Sequence, residues 1–266
     1  MESNRVRALN GARVGAGAGV LIGLVVAAVA LAIHLPPGPV GVAAAALLGA
    51  LILPVAASPV EWLVHRYLYH RVLTEPLRPL YRVHHQAHHY LYFPTWRYVT
   101  SGPPRRIPLV GAKVADAPTG RWTNRAIEAA HFAFYMALGA GLIVAPFWWL
   151  TRRLAFVAGA GVALVVVSYL MIAVHDTIHR PGAHPWIERQ RWFAFLDEHH
   201  FIHHVDTEAN VNFLLPLTDW LFGTLRTALT PDERARHGTR IEAKACPNGA
   251  GEPARATGRQ DRVGVA

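Results

Sequence analysis

The sequence predicts an all-α integral membrane protein: four transmembrane helices with a cytoplasmic helical cap. Two patterns predict it. Hydrophobic residues make up 52% of the 266 and charged residues only 16%, a balance unlike that of a soluble domain, and the apolar residues are gathered into four long runs. Ten of the 16 histidines fall into four tight clusters, His65/His70, His85/His88/His89, His175/His179 and His200/His203/His204, and apolar runs end almost at the first and third of them.

The first run covers residues 14–35 and follows the basic residues Arg5, Arg7 and Arg13. A basic start and Ala28-Val29-Ala30 also suit a signal peptide, but the run is longer than the roughly 7–15 apolar residues of such a segment. A Pro-rich turn at residues 36–39 leads straight into the second run, residues 40–60, as in a helical hairpin. Pro54 and Pro59 lie within or at the end of that run, where a membrane span tolerates them and bends. The third and fourth runs cover residues 126–150 and 154–174, and each run is about long enough to cross a hydrocarbon core of roughly 30 Å as a helix. These elements make one membrane domain, residues 1–236, followed by a tail, residues 237–266, whose Gly, Ala, Pro and Arg content without apolar periodicity predicts disorder.

Basic residues set the expected orientation. The segment from Glu61 to Arg125 holds ten Lys or Arg and the 34–40 connector holds none, so that segment and both termini are expected on the cytoplasmic side. Arg152 and Arg153 run against this rule, whereas Trp148 and Trp149 suit an aromatic belt at the opposite interface. A formal charge of +9 is spread over segments beside the membrane and the tail without a recognition motif, which points to anionic lipid and away from nucleic acid. The single cysteine, Cys246, excludes internal disulfides and Cys-ligated iron–sulfur clusters within one chain.

Neutral imidazole is a nitrogen ligand for iron, zinc, copper or nickel. Ten of them exceed what one ion coordinates, so the clusters predict a histidine-rich site for two ions in the cap. In each triplet, His85/His88/His89 and His200/His203/His204, the spacing i, i+3, i+4 puts all three side chains on one face of an α-helix. His175 and His179 stand at i and i+4 directly after the fourth run. His65 and His70 are five apart, about 140° around a regular helix, so they need a bend or they reach two different ions. The order of hairpin, histidine pair, connector and triplet occurs twice, like a metal site built from facing helices of a bundle.

These residues resemble the fatty acid hydroxylase and sterol desaturase superfamily of membrane-bound di-metal oxygenases. The family pattern His-x3/4-His, His-x2-His-His, His-x3/4-His, His-x2-His-His is met in order by the ten residues, and the likeness runs from about Glu61 to Thr224, including residues 210–213 and 219–224 after the last triplet. The resemblance implies two iron ions as cofactor, dioxygen as cosubstrate, and hydroxylation or desaturation of a lipid chain such as a fatty acyl, sphingoid, sterol or isoprenoid group. His175-Asp176 is similar to the start of the carotenoid hydroxylase motif, but one residue fewer separates its histidines, which argues against that branch.

Around the ten, Asp176 is a candidate to orient a ligand imidazole or to cap the end of its helix. His84 and His199 are either pocket or surface residues, His237 is expected among exposed or packing histidines, and Trp62 is expected as an interface anchor. The chain has no flavin or nicotinamide fingerprint and no cysteine set, so an external electron donor is implied, a ferredoxin or a b-type cytochrome with its reductase. A metal transporter, the competing class, needs ionisable residues inside the spans, and the four runs hold almost none apart from His131. A zinc protease would need His-Glu-x-x-His, which is absent.

Overall fold

The computed structural model describes residues 2–99 and 121–239. The expected disordered tail lies outside these residues beyond position 239, and Cys246 with it. Every regular element among the described residues is helical. In order they are α1 (Glu2–His34), α2 (Pro39–Leu63), α3 (Arg78–Tyr81), α4 (Arg121–Gly139), α5 (Ala145–Thr151), α6 (Leu154–His179), α7 (Pro185–Glu188), α8 (Arg191–Val205), α9 (Leu217–Phe222) and α10 (Pro231–His237). Three wider π-helical stretches extend them: Val64–Tyr69 continues α2, Arg82–Tyr92 continues α3, and Ala140–Val144 joins α4 to α5.

Among the described residues, four helices are long and apolar enough to cross a membrane: Gly11–His34, Pro39–Tyr69, Ala129–Thr151 and Leu154–His179. The second and fourth run further than residues 40–60 and 154–174. At 1.5 Å per residue, the 31 residues of Pro39–Tyr69 reach roughly 46 Å, more than a hydrocarbon core of roughly 30 Å. The surplus carries the histidine pairs out on the ends of the two helices. Gly38 at φ 112° opens α2, with Pro39 in its first turn where a missing N–H costs nothing. Pro54 and Pro59 sit inside the helix without ending it.

Small residues let α2 and α6 approach to backbone contact. A Cβ on Gly49 would sit 1.9 Å from the Phe156 carbonyl oxygen, and one on Gly159 would sit 1.9 Å from that of Ala46. This is the small-residue packing that joins helices where lipid removes the hydrophobic drive. Around the crossing, Ala28, Ala32, Leu53, Ile143, Phe147, Phe156 and Leu164 form a buried core. The outward faces carry Val40, Leu47, Leu51, Trp149, Leu154 and Val162 exposed, the surface that lipid covers in a membrane protein.

Contacts also show which ends lie together. Arg153 donates to the carbonyls of Ile33 and Leu35, both at 2.8 Å, so the short turns after α1 and α5 meet at one end of the bundle. The two arginines that run against the charge rule thus have a local structural role: Arg153 caps α1, and Arg152 lies over the Trp148 ring at 5.7 Å. At the other end, Arg13 donates to the carbonyl of Trp220 at 2.7 Å, which sets the start of the first span against α9. That end carries the cap, whose core is Tyr98, Val174, Ile178, Ile187, Phe201, Ile202 and Phe213. Trp62 belongs to the cap packing and not to an exposed interface: it is buried, its indole N–H donates to the Thr224 hydroxyl at 3.2 Å, and Phe222 meets it edge-on.

Gly159→Val should force α2 and α6 apart and lower the thermal unfolding midpoint of the detergent-solubilised protein, by an overpacking cost of about 1–3 kcal/mol or more. Gly161→Val, at a position with open space around it, should leave the midpoint nearly unchanged.

Candidate metal centre

All four histidine clusters meet at the cap end of the bundle. Two groups form. His65, His70, His84, His89 and His203 make the first, and His88, His179, His200 and His204 the second; within each group, one nitrogen from every ring lies within 4.8 Å of all the others. His89 and His204 bridge the groups with ring centroids 4.2 Å apart. Eight of the ten histidines singled out in the sequence belong to these groups. The other two sit at the edges: His85 Nδ1 lies 2.7 Å from His70 Nδ1, and His175 Nε2 lies 3.3 Å from His88 Nε2.

Local helix geometry decides who faces whom. A π-helix bonds i to i+5, so residues five apart come round to the same side, and such turns occur frequently at functional sites. Over Val64–Tyr69 this widening brings His65 and His70 into a stack, centroids 4.9 Å apart, within one group. Over Arg82–Tyr92 it brings His84 and His89 edge-on into the same group, with their Nε2 atoms 3.2 Å apart. His84 is therefore a member of the first group, and the signal that finds it is its five-residue spacing to His89, the spacing of His65 and His70. On the regular helix α8, His200 and His204 at i and i+4 share the second group, while His203 turns to the first. Each triplet thus divides between the groups instead of clasping one ion from one side.

Four rings are aimed by carbonyl oxygens. His65 Nδ1 donates to Val211 at 2.6 Å, His203 Nδ1 to Ala209 at 2.8 Å, His179 Nδ1 to Tyr98 at 2.8 Å and His204 Nδ1 to Phe93 at 2.9 Å. A carbonyl oxygen only accepts, so each Nδ1 carries the proton and each neutral ring presents a bare Nε2 lone pair. Those lone pairs face other imidazole nitrogens. His84 Nε2 is 2.9 Å from His65 Nε2, and His200 Nε2 is 3.1 Å from His179 Nε2 and 3.2 Å from His204 Nε2. One proton on His200 can serve only one of its two neighbours.

His70 Nε2 and His203 Nε2 are buried with no hydrogen-bond partner among the described residues, a cost of about 1–3 kcal/mol each for a purely structural histidine. A cation accepted by the inward lone pairs removes the conflict in both groups. The donor set therefore fits metal, and nitrogen-only ligation suits iron, zinc, copper or nickel. Burial lowers the pKa of His70, His84, His88, His89, His200, His203 and His204 below the ordinary 6.5, with neighbouring imidazoles lowering it further. At neutral pH these rings are uncharged, the form that binds metal.

Aromatic rings close the site: Phe93 stacks on His179 at 4.0 Å, Tyr69 on His84 at 4.8 Å, and Phe213 meets His200 edge-on at 5.1 Å. Asp176 turns its carboxylate to the guanidinium of Arg180, with His184 Nε2 at 3.7 Å. The four rings aimed by backbone carbonyls are His65, His179, His203 and His204. His199 is buried and donates from Nε2 to the Asn212 carbonyl at 2.7 Å, outside both groups. His237 closes α10, with its Nδ1 3.0 Å from the Thr95 hydroxyl. Family models, curated proteins and solved structures were compared with the chain, and none matches it.

His84→Ala and His203→Ala should each lose the metal of the first group, whereas His237→Ala should keep full occupancy; elemental analysis of the purified variants checks this. The pH dependence has a definite sign. Folded pKa values below 6.5 mean that the unfolded chain takes up protons the folded site refuses. The stability from neutral rings is complete above about pH 6.5 and is lost as pH falls toward the folded values. Metal-stripped protein should therefore show a falling unfolding midpoint, and loaded protein should release metal, on acidification from pH 7.5 to 5.

Proposed function

We propose that the protein is a membrane-bound non-haem di-iron oxygenase that hydroxylates, or desaturates, a lipid chain. The observation that carries this reading is the convergence of two buried histidine groups at the ends of two membrane-length helices. The ordered ten-histidine pattern, which resembles the fatty acid hydroxylase and sterol desaturase superfamily, supplies the choice of iron and of oxygen chemistry. Bound iron would supply dioxygen activation and removal of hydrogen from an unactivated carbon.

The chain's own residues have separate tasks in this reading. His65, His70, His84, His89 and His203 would hold one ion, and His88, His179, His200 and His204 the other, with His85 and His175 beside them. Phe93, Tyr69 and Phe213 wall the centre with apolar rings and keep bulk water from it. In this reading an acyl, sphingoid, sterol or isoprenoid chain approaches from the membrane, along the helix ends that carry the His65/His70 and His175/His179 pairs. Electrons come from a separate donor, a ferredoxin or b-type cytochrome with its reductase, because the sequence has one cysteine and no nucleotide fingerprint. The basic segments beside the spans favour a cytoplasmic site and cytoplasmic termini.

Membranes containing the protein, given a reducing donor system and labelled dioxygen, should place one labelled oxygen atom on a long-chain lipid or introduce an unlabelled double bond. His88→Ala and His203→Ala should abolish both outcomes. Iron-loaded protein that consumes no oxygen across acyl, sphingoid, sterol and isoprenoid lipids with competent donors overturns the reading in favour of metal binding or transport.

A further inference from the structure

The carbonyls that aim the ligand rings come from two separate pieces of chain. Ala209 and Val211 serve the first group through His203 and His65, whereas Phe93 and Tyr98 serve the second through His204 and His179. Different devices hold the two pieces, and one carboxylate is at the centre of the first. Asp219 in α9 is fully buried. Its Oδ2 accepts the Asn212 N–H at 2.6 Å, and its Oδ1 accepts the Val211 N–H at 3.1 Å and the Thr224 hydroxyl at 2.5 Å.

A carboxylate that receives two consecutive backbone N–H groups fixes the peptide planes of that stretch. Each amide N–H shares its peptide plane with the carbonyl before it: the Asn212 N–H orients the Val211 carbonyl, 2.6 Å from His65 Nδ1, and Thr224, held by Asp219, accepts the Asn210 N–H at 3.0 Å and so orients the Ala209 carbonyl, 2.8 Å from His203 Nδ1. Between Ala209 and Val211, Asn210 takes φ +52°, a left-handed conformation that asparagine tolerates. That turn lets the carbonyls on both sides of it reach the site, and the Asn210 amide is held by the carbonyls of His199 at 3.0 Å and Arg226 at 2.9 Å. The assembly is tied back to the helix that carries His65. Asn212 donates to the Ser58 carbonyl at 2.7 Å, Glu61 accepts the Phe213 N–H at 2.7 Å, and the Trp62 indole donates to Thr224 at 3.2 Å.

The second group takes its carbonyls from Phe93 and Tyr98, outside this network, and meets it through Phe213, edge-on to His200 at 5.1 Å. Its carbonyl segment is held from α8, where the Tyr98 hydroxyl donates to the Asp197 carbonyl at 3.1 Å. We propose that Asp219 is a positioning residue for the first histidine group, fixing the Val211 carbonyl directly and the Ala209 carbonyl through Thr224, so that the Nε2 lone pairs of His65 and His203 point at one metal position. The proposal rests on the reading of the two groups as metal sites.

Competition between a chelator and the full-length, detergent-solubilised protein loaded anaerobically with Fe2+ tests it, because two sites give two release phases. In Asp219→Asn an amide N–H2 opposes one of the backbone N–H groups the carboxylate received, so one phase should weaken by about 10–100-fold, the usual cost of losing a ligand's outer partner. The other phase should not move. Thr224→Val, which removes the hydroxyl donor to Asp219, should weaken the same phase less, and it carries the test if Asp219→Asn does not fold. Tyr98→Phe should weaken the opposite phase. Two wild-type phases that Asp219→Asn leaves in place, or that fall together, overturn the positioning role and leave the metal sites standing. A wild-type protein with no tight Fe2+ overturns the metal reading and this proposal with it.

Discussion

Bare imidazole lone pairs turned toward one another in a buried site repel unless they share a proton or a cation, and the cap is arranged around that constraint. Ordinary packing would turn ring nitrogens outward to water or protein acceptors. Here the opposite is enforced, because Val211, Ala209, Tyr98 and Phe93 each take the Nδ1 proton and commit Nε2 inward. Burial supports the same state by keeping the rings uncharged. The loops that look irregular along the chain are therefore acceptors set at defined places.

Much of this was legible in the sequence. Hydropathy marks the four spans, because crossing a bilayer demands a length and an apolarity that few other structures need. The ten clustered histidines announce a shared site, because no packing requirement gathers them in ordered pairs and triplets. Helix type was not legible. Arg82–Tyr92 is π-helical, and backbone hydrogen-bond pitch leaves no composition signature; the reading of each triplet as a clasp on one ion fails on the regular helix α8 as well, where His203 turns to the other group. The π-helical pitch hid His84, whose ring turns inward only on the wider helix. Asp219 was visible as part of a segment after the last triplet, but its hydrogen bonds to Val211 and Asn212 depend on a left-handed turn at Asn210 that no local pattern specifies.

The division of each triplet also changes how the two halves of the chain relate. A repeat of pair and triplet suggests that each half builds one site. Instead the first pair shares its group with His203 from the second half, and His179 shares its group with His88 from the first. Neither half is complete without the other. Folding of the cap must therefore bring α8 against the π-helical segment before either group exists.

The glycine crossing of α2 and α6 has a consequence at the far reach of those helices. Gly49 and Gly159 lock the two backbones against each other at a single pivot, and the histidine pairs ride on the arms beyond it. The spacing of the two pairs is therefore set partly within the spans, by how closely two glycines let the backbones meet.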